Sequence, residues 1–174
     1  MNDGRYGFNV PVNTFAPSTR DELHRQLGAT WKTRHDTGWN ASAVLTRYQI
    51  LRDASRQAAL AQPQAELGGA GSVTRRDGTG WNTLEPQASY TPTPGDFGGG
   101  RHALVFGLHR NSYRLDNVVN SASDWRGAET ALNQSYQGET AITALYGQDT
   151  WQFAPDWRLT SGLRLEAFRA HDGS

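Results

Sequence analysis

The chain has 174 residues, room for one domain or two, and its 17 Lys+Arg balance 17 Asp+Glu, with a mean hydropathy of −0.69. Zero net charge, with Lys32 the only lysine, gives no basic footprint for a nucleic-acid partner, and the absence of cysteine excludes disulfides, thiolate metal sites and cysteine nucleophiles. No apolar run approaches the roughly 18 residues of a transmembrane helix, the longest clear one being Ala103-Leu104-Val105-Phe106, so a helical membrane protein is ruled out and other membrane proteins are not. The opening MNDGRYGFNVPVNTF has no basic stretch followed by an apolar one, so no export signal is read there. Both ends read as cut rather than finished.

Period-two patterning dominates. From Leu23 to Thr33 one face carries Leu23, Arg25, Leu27, Ala29 and Trp31, and the other His24, Gln26, Gly28, Thr30 and Lys32. This alternation predicts a strand with one apolar and one wet face. His35-Asp36-Thr37-Gly38 supplies turn chemistry. Trp39, Ala41, Ala43 and Leu45 then alternate with Asn40, Ser42 and Thr46, completing a hairpin over about 21–52. Arg52–Ala61, ended by Pro63, is expected to form a short helical turn.

A second pair spans about 80–113. Leu84, Pro86, Ala88 and Tyr90 share one face, and Leu104, Phe106 and Leu108 continue the pattern after TPTPGDFGGG. Pro86 cannot donate to a ladder, so a bulge or an edge-like defect is expected beside it. Gly98-Gly99-Gly100 is expected only to make that turn flexible. The third pair, about 139–169, turns at Phe153-Ala154-Pro155-Asp156. Its second member sets Trp157, Leu159, Leu163 and Leu165 against Arg158, Thr160, Gly162, Arg164 and Glu166.

Six strands are therefore expected, with short turns inside each pair and long polar connections, roughly 53–79 and 114–138, between pairs. Up-and-down outer-membrane barrels share this asymmetry. Compact soluble domains mostly use connections of about 4–6 residues. Trp31, Trp39, Tyr90, Trp151 and Trp157 each stand near a short turn, where they would form an aromatic belt at one membrane interface. The fold class is all-β: an antiparallel up-and-down transmembrane barrel segment. A soluble secreted β-sheet module that binds carbohydrate through exposed tryptophans is the competing reading. The two differ in whether the Leu159/Leu163/Leu165 row packs against a second sheet.

Tyr146, Gln148, Asp149 and Trp151, followed by Trp157, Leu159, Gly162, Leu163, Arg164 and Glu166, resemble a strand–turn–strand of the TonB-dependent receptors of Gram-negative outer membranes. His102–Gly107 and Gly38–Ala41 are similar to other strands of those barrels. The resemblance implies a barrel of about 22 strands closed around a plug. It also implies import of a scarce ligand, usually a ferric siderophore, driven by the TonB complex. No TonB box, plug or aromatic C-terminal strand end is seen in the 174 residues. The chain therefore reads as an interior piece of a barrel, a gene fragment or partial protein, with TonB reached through a missing N-terminal part. Outer-membrane lipid and lipopolysaccharide are the expected surroundings, and no cofactor is expected.

No nucleophile elbow, Walker loop, H-E-x-x-H or dinucleotide fingerprint is present, so no catalytic residue is assigned. Glu139, Asp149 and Glu166 are read as lumen or interface residues rather than a glycosidase pair. His102 and His109 fall on opposite faces of one strand and cannot share a metal. Ligand contact is expected from Arg75, Arg76, Arg114, Trp125 and Arg126 in the long loops, where guanidinium and aromatic groups suit an anionic, planar siderophore.

Overall fold

The computed structural model describes residues 15–93, 99–171 and 173. The N-terminal segment searched for an export signal and Gly98 lie outside them, apart from Phe15.

The described residues form one antiparallel sheet of seven strands: β1 (Ser18–Lys32), β2 (Gly38–Ala58), β3 (Gly71–Arg75), β4 (Gly80–Thr91), β5 (Arg101–Ala122), β6 (Glu129–Ala154) and β7 (Trp157–His171). The order is β1-β2-β3-β5-β6-β7, and β4 also pairs with β2 and β5. The expected six strands become seven because Gly71–Arg75, placed in a loop by its polar sequence, pairs with both β2 and β5.

The same pairing corrects two further expectations. Arg52–Ala58 is not helical; Ala54–Ala58 lie in register with Arg75–Gly71, and the ladder bonds to β3 override the weak local preference. The only helical turn in that connection is the 3-10 segment Gln64–Leu67. The long loops also shrink. Most of 114–138 belongs to β5 and β6, leaving residues 123–128 between them. These strand ends mix polar and apolar residues on both faces, as in Asn117 beside Val119 and Asn120 beside Val118, so alternation could not reveal them. The contrast in connection length that favoured a barrel is correspondingly weaker in the folded chain.

Pro86 produces the edge-like defect without a bulge. It sits in register with Ala43 of β2, but towards β5 the ladder steps from Leu84↔Arg110 to Gln87↔Gly107 with the count preserved. The first turn is fixed by Asn40, whose Oδ1 accepts from the His35 N–H at 2.6 Å while its Nδ2 donates to the His35 carbonyl at 2.8 Å. Gly38 supplies the positive φ (80°) that starts β2.

Two compact units are distinguished within the sheet. The first is drawn from the chain up to Leu23 with Leu51–Asp77 and Asp116–Tyr136; the second comprises His24–Ile50, Gly78–Leu115 and Gln137–Ser174. The first holds the only cluster of buried apolar side chains among the described residues: Ala58, Ala65 and Trp125. The second is a single layer.

In that layer, register sorts the side chains onto two faces. Trp39↔Tyr90, Ala41↔Ala88 and Leu45↔Leu84 share one face with Leu104 and Phe106. The corresponding rungs of the last hairpin are Leu145↔Leu165, Gly147↔Leu163 and Trp151↔Leu159. No second sheet covers this row among the described residues: Leu159, Leu163 and Leu165 remain 52–68% exposed. A soluble protein rarely shows so continuous an apolar surface, whereas lipid solvates it. The uncovered row removes the support for a sandwich-like carbohydrate module.

Candidate functional site

The opposite face of the second unit is polar and is built on the alternate rungs. Tyr48 faces Trp81 across β2–β4, and Trp81 faces Tyr113 across β4–β5. The Tyr48 and Trp81 rings stack with centroids 4.0 Å apart and 19° between planes. The His24 ring meets Tyr48 edge-on, and the two share a 2.7 Å hydrogen bond between Nδ1 and the phenol oxygen. Half-exposed Trp81 and Tyr113 present a continuous aromatic row beside water. Sequence reasoning missed this row because Tyr48, Trp81 and Tyr113 lie far apart in the chain; only pairing aligns them.

Further along the same face, Tyr146 accepts a bond from Gln87 Nε2 (3.3 Å) and donates to Glu85 Oε1 (3.5 Å). Glu85 also faces His109 Nδ1 at 3.7 Å. Arg164 and Glu166 pair at 2.8 Å along β7. A hollow of ≈ 430 Å³ opens among Glu85, Tyr146, Gln148, Gly162 and Arg164. Gly107 makes room for this cluster, since a Cβ there would overlap the Tyr146 ring. Gly107→Val should therefore displace Tyr146 and cost about 1–3 kcal/mol, the usual range for overpacking. The unfolding midpoint in urea of the lipid-reconstituted protein checks this. An unchanged midpoint would show that the ring moves aside freely.

His102 and His109 lie on opposite faces. Whereas His109 joins Glu85, His102 Nδ1 meets Asp149 Oδ2 at 2.8 Å and its ring stacks on Trp151 at 5.7 Å. Glu139, Asp149 and Glu166 do not converge: their β7 or β6 partners are His171, Ser161 and Ala144 respectively.

The aromatics near the short turns do gather locally. Trp39 and Tyr90 have ring centroids 4.8 Å apart. Trp151 contacts Phe153 (5.2 Å), Phe153 contacts Trp157 (6.4 Å), and Trp151 Nε1 donates to the Gly99 carbonyl at 2.8 Å. Trp31, Trp39 and Trp157 stay exposed on the apolar face.

The loop residues expected to touch ligand are placed differently from one another. In the first unit Arg75 binds Glu129 Oε1 (2.6 Å) and Asp77 Oδ2 (3.3 Å), and Asn120 donates to the other Glu129 oxygen at 2.5 Å. Arg76 reaches Asp53 at 3.4 Å. Asp53 is 1% exposed and is gripped by a two-pronged contact from Arg20, both bonds 2.9 Å, while its backbone N–H donates to Asp77 Oδ1. Counting about ten residues of spanning strand from the Trp39 end leaves Asp53 beyond the hydrocarbon. The Arg20 hydrogen bonds, reinforced by the charges of Arg20 and Arg76, hold its carboxyl below the ordinary aspartate range against the opposing effect of burial. Trp125 is 5% exposed, and its Nε1 donates to the Ala65 carbonyl at 3.1 Å. Arg126 lies 4.9 Å over the Trp125 ring and donates to the Glu66 carbonyl at 3.2 Å. In the second unit Arg114 pairs with Glu139 at 3.1 Å.

No curated protein and no solved structure matches the chain. A family model does, that of the TonB dependent receptor-like β-barrel, over residues 2–174. With its uncovered apolar face, its polar face of aromatic and charged rungs, and this match over nearly its whole length, the chain belongs to the TonB-dependent receptor β-barrel family, as part of the wall of such a barrel.

Proposed function

We propose that the polar face bearing Tyr48, Trp81 and Tyr113 lines the route of an imported ligand, with a ferric siderophore as the cargo. The family is one of outer-membrane transport receptors of Gram-negative bacteria. In such barrels the polar face looks into the lumen and the apolar face into lipid. The observation that carries the reading is the stacked Tyr48–Trp81 pair, continued by Tyr113, on the polar face. Large rigid rings with low conformational entropy suit a planar aromatic chelate, and Arg164 offers a cationic group to an anionic one.

The loop arginines divide in this reading. Arg75 and Arg76 are committed to carboxylates and Trp125 to packing, so they shape the loop end, whereas Arg126 lies exposed enough to meet cargo. Trp31, Trp39, Tyr90, Trp151 and Trp157 form the interfacial belt at the short turns, against outer-membrane lipid. Energy reaches the ligand through TonB and a plug, as in the family.

Trp81→Ala in the full receptor should weaken ferric-siderophore uptake by iron-starved cells about tenfold, the equivalent of about 1.4 kcal/mol of lost stacking. Uptake unchanged by Trp81→Ala and by Tyr113→Ala would overturn the proposal. Uptake of an uncharged glycan, blocked by the same variants, would retain the route and replace the cargo.

A further inference from the structure

The aromatic row of the second unit contains a constellation that contact with cargo does not require. The Tyr48 and Trp81 rings stack nearly in parallel, 19° between planes, with centroids 4.0 Å apart. The Tyr48 phenol oxygen in turn lies 2.7 Å from His24 Nδ1. An indole, a phenol and a base thus stand in immediate succession. Trp81 is open to water at one end and His24 at the other.

Indole and phenol are the readily oxidised side chains of a protein with no cysteine and one methionine. An indole that loses one electron becomes a radical cation. A phenol refills it efficiently only if its own proton leaves as well, because an oxidised phenol is a strong acid. A base within hydrogen-bond reach of that proton decides the rate. With the imidazole proton on Nε2, the Tyr48 O–H donates to His24 Nδ1, and Nδ1 is that base.

The other aromatic groups lack one part each. Trp39 and Tyr90 have centroids 4.8 Å apart, but the Tyr90 phenol has no hydrogen-bond partner among the described residues. Tyr146 has the Glu85 carboxylate at 3.5 Å, but no indole lies against its ring among those residues. His102 stacks on Trp151 with no phenol between them.

We propose that Trp81, Tyr48 and His24 form a relay that draws oxidising equivalents off the polar face. A one-electron oxidant of the peroxide-derived oxyl-radical class takes an electron from the Trp81 indole and leaves as its anion. Tyr48 passes one electron to the indole across the stack, and its phenol proton moves to His24 Nδ1. The O–H bond breaks and an N–H bond forms. The products are a neutral indole, a neutral phenoxyl radical and an imidazolium, so the single positive charge has moved from Trp81 to His24. His24 returns its proton to water. A hydroquinone-type donor then gives a hydrogen atom to the Tyr48 oxygen and becomes a semiquinone. The relay goes beyond the transport reading, since it requires no particular cargo.

The test oxidises the full receptor in detergent by a laser flash, with a ruthenium polypyridyl and persulfate as the photo-oxidant. Radicals are followed by transient absorption and by electron paramagnetic resonance. In wild type the indole radical should decay into a tyrosyl radical. Tyr48→Phe, which keeps the stacked ring, should lengthen the life of the indole radical at least about tenfold. His24→Gln keeps a hydrogen-bond acceptor but removes the base. It should slow tyrosyl formation about a hundredfold, the lower end of what a positioned base contributes, and added imidazole should restore part of the rate. This substitution, at an exposed position, guards against misfolding of Tyr48→Phe. A tyrosyl signal of wild-type size and rate in Tyr48→Phe overturns the relay, by placing the radical on another tyrosine. An unchanged rate in His24→Gln also overturns it, by showing that the proton goes to water. Uptake unchanged by Trp81→Ala would remove the transport reading and leave the relay standing.

Discussion

Trp125→Ala should release the short connection around Gln64–Leu67 and lower amide protection across Gly71–Arg75 by about two to four orders of magnitude, the expression of about 3–5 kcal/mol. Trp125 fills the small apolar cluster with Ala58 and Ala65, and almost all of its surface is buried. Its backbone is tied as well: the Trp125 N–H donates to the Gly69 carbonyl at 2.9 Å, and Arg56 Nη1 donates to the Gly127 carbonyl at 2.5 Å and to that of Trp125 at 3.4 Å. Gly71 is the matching space, since a Cβ there would lie 2.5 Å from the Trp125 Cβ and would overlap the Gln57 carbonyl. Removing the indole leaves a cavity that two alanines cannot fill. Trp125→Phe should cost only about 1 kcal/mol, because the ring volume is largely kept and one hydrogen bond, to Ala65, is lost. Hydrogen exchange of the lipid-reconstituted receptor checks both. Unchanged protection in Trp125→Ala would show that the ladder between β2, β3 and β5 holds this end without the indole.

Asp53→Asn should destabilise the same unit by about 2–3 kcal/mol. Removing one partner of a buried ion pair commonly costs about 3–5 kcal/mol, and the half-exposed arginines, which water can resolvate, reduce that figure. The pH dependence has a definite sign. Because the folded carboxyl ionises below the ordinary aspartate value, about 3.9, its stabilising contribution is complete above that value. It is lost as pH falls through the depressed folded value. Other carboxylates lie in the same unit, so the informative quantity is the difference between wild type and variant. That difference in urea midpoint should be constant from pH 7 to about pH 5 and should shrink below about pH 4. A difference that persists undiminished at pH 2 would show that Asp53 acts through shape rather than charge.

The alternating segments were legible because each carries a chemical contrast between its faces. Leu159, Leu163 and Leu165 against Arg158, Arg164 and Glu166 announce a strand that meets two solvents, and β7 is that strand. The turns at His35–Gly38 and Phe153–Asp156 were legible from residues that favour them, and Asn40 and Gly38 show why at the first. The family motif was readable in Tyr146–Glu166, whose residues sit on β6 and β7 in continuous register apart from the shift at Gln152/Ala154. What was illegible had no contrast to read. The ends of β5 and β6 mix polar and apolar residues on both faces, and β3 is five residues long; each is a strand because a neighbour supplies its ladder bonds.

The candidate site divides in the same way. Arg75, Arg76, Trp125 and Arg126 could be picked out as chemically capable, but capability does not reveal engagement. A buried Asp53 twenty-three residues from Arg76, and Glu129 fifty-four residues from Arg75, take up those charges, and no local pattern predicts pairs at such separations. The aromatic row of Tyr48, Trp81 and Tyr113 was invisible for the converse reason: single rings spread over three strands become a surface only when register sets them side by side.

By itself, the sequence determined that the chain is built of antiparallel strands with one apolar and one polar face, because side-chain periodicity is a property of each strand alone. Composition likewise excluded disulfides and helical membrane spans. Only the tertiary structure decided that the apolar row has no covering sheet among the described residues, which arginines already have carboxylate partners, and which rings meet. Those outcomes depend on hydrogen-bond register between distant segments, where a shift of one residue would send every side chain to the other face.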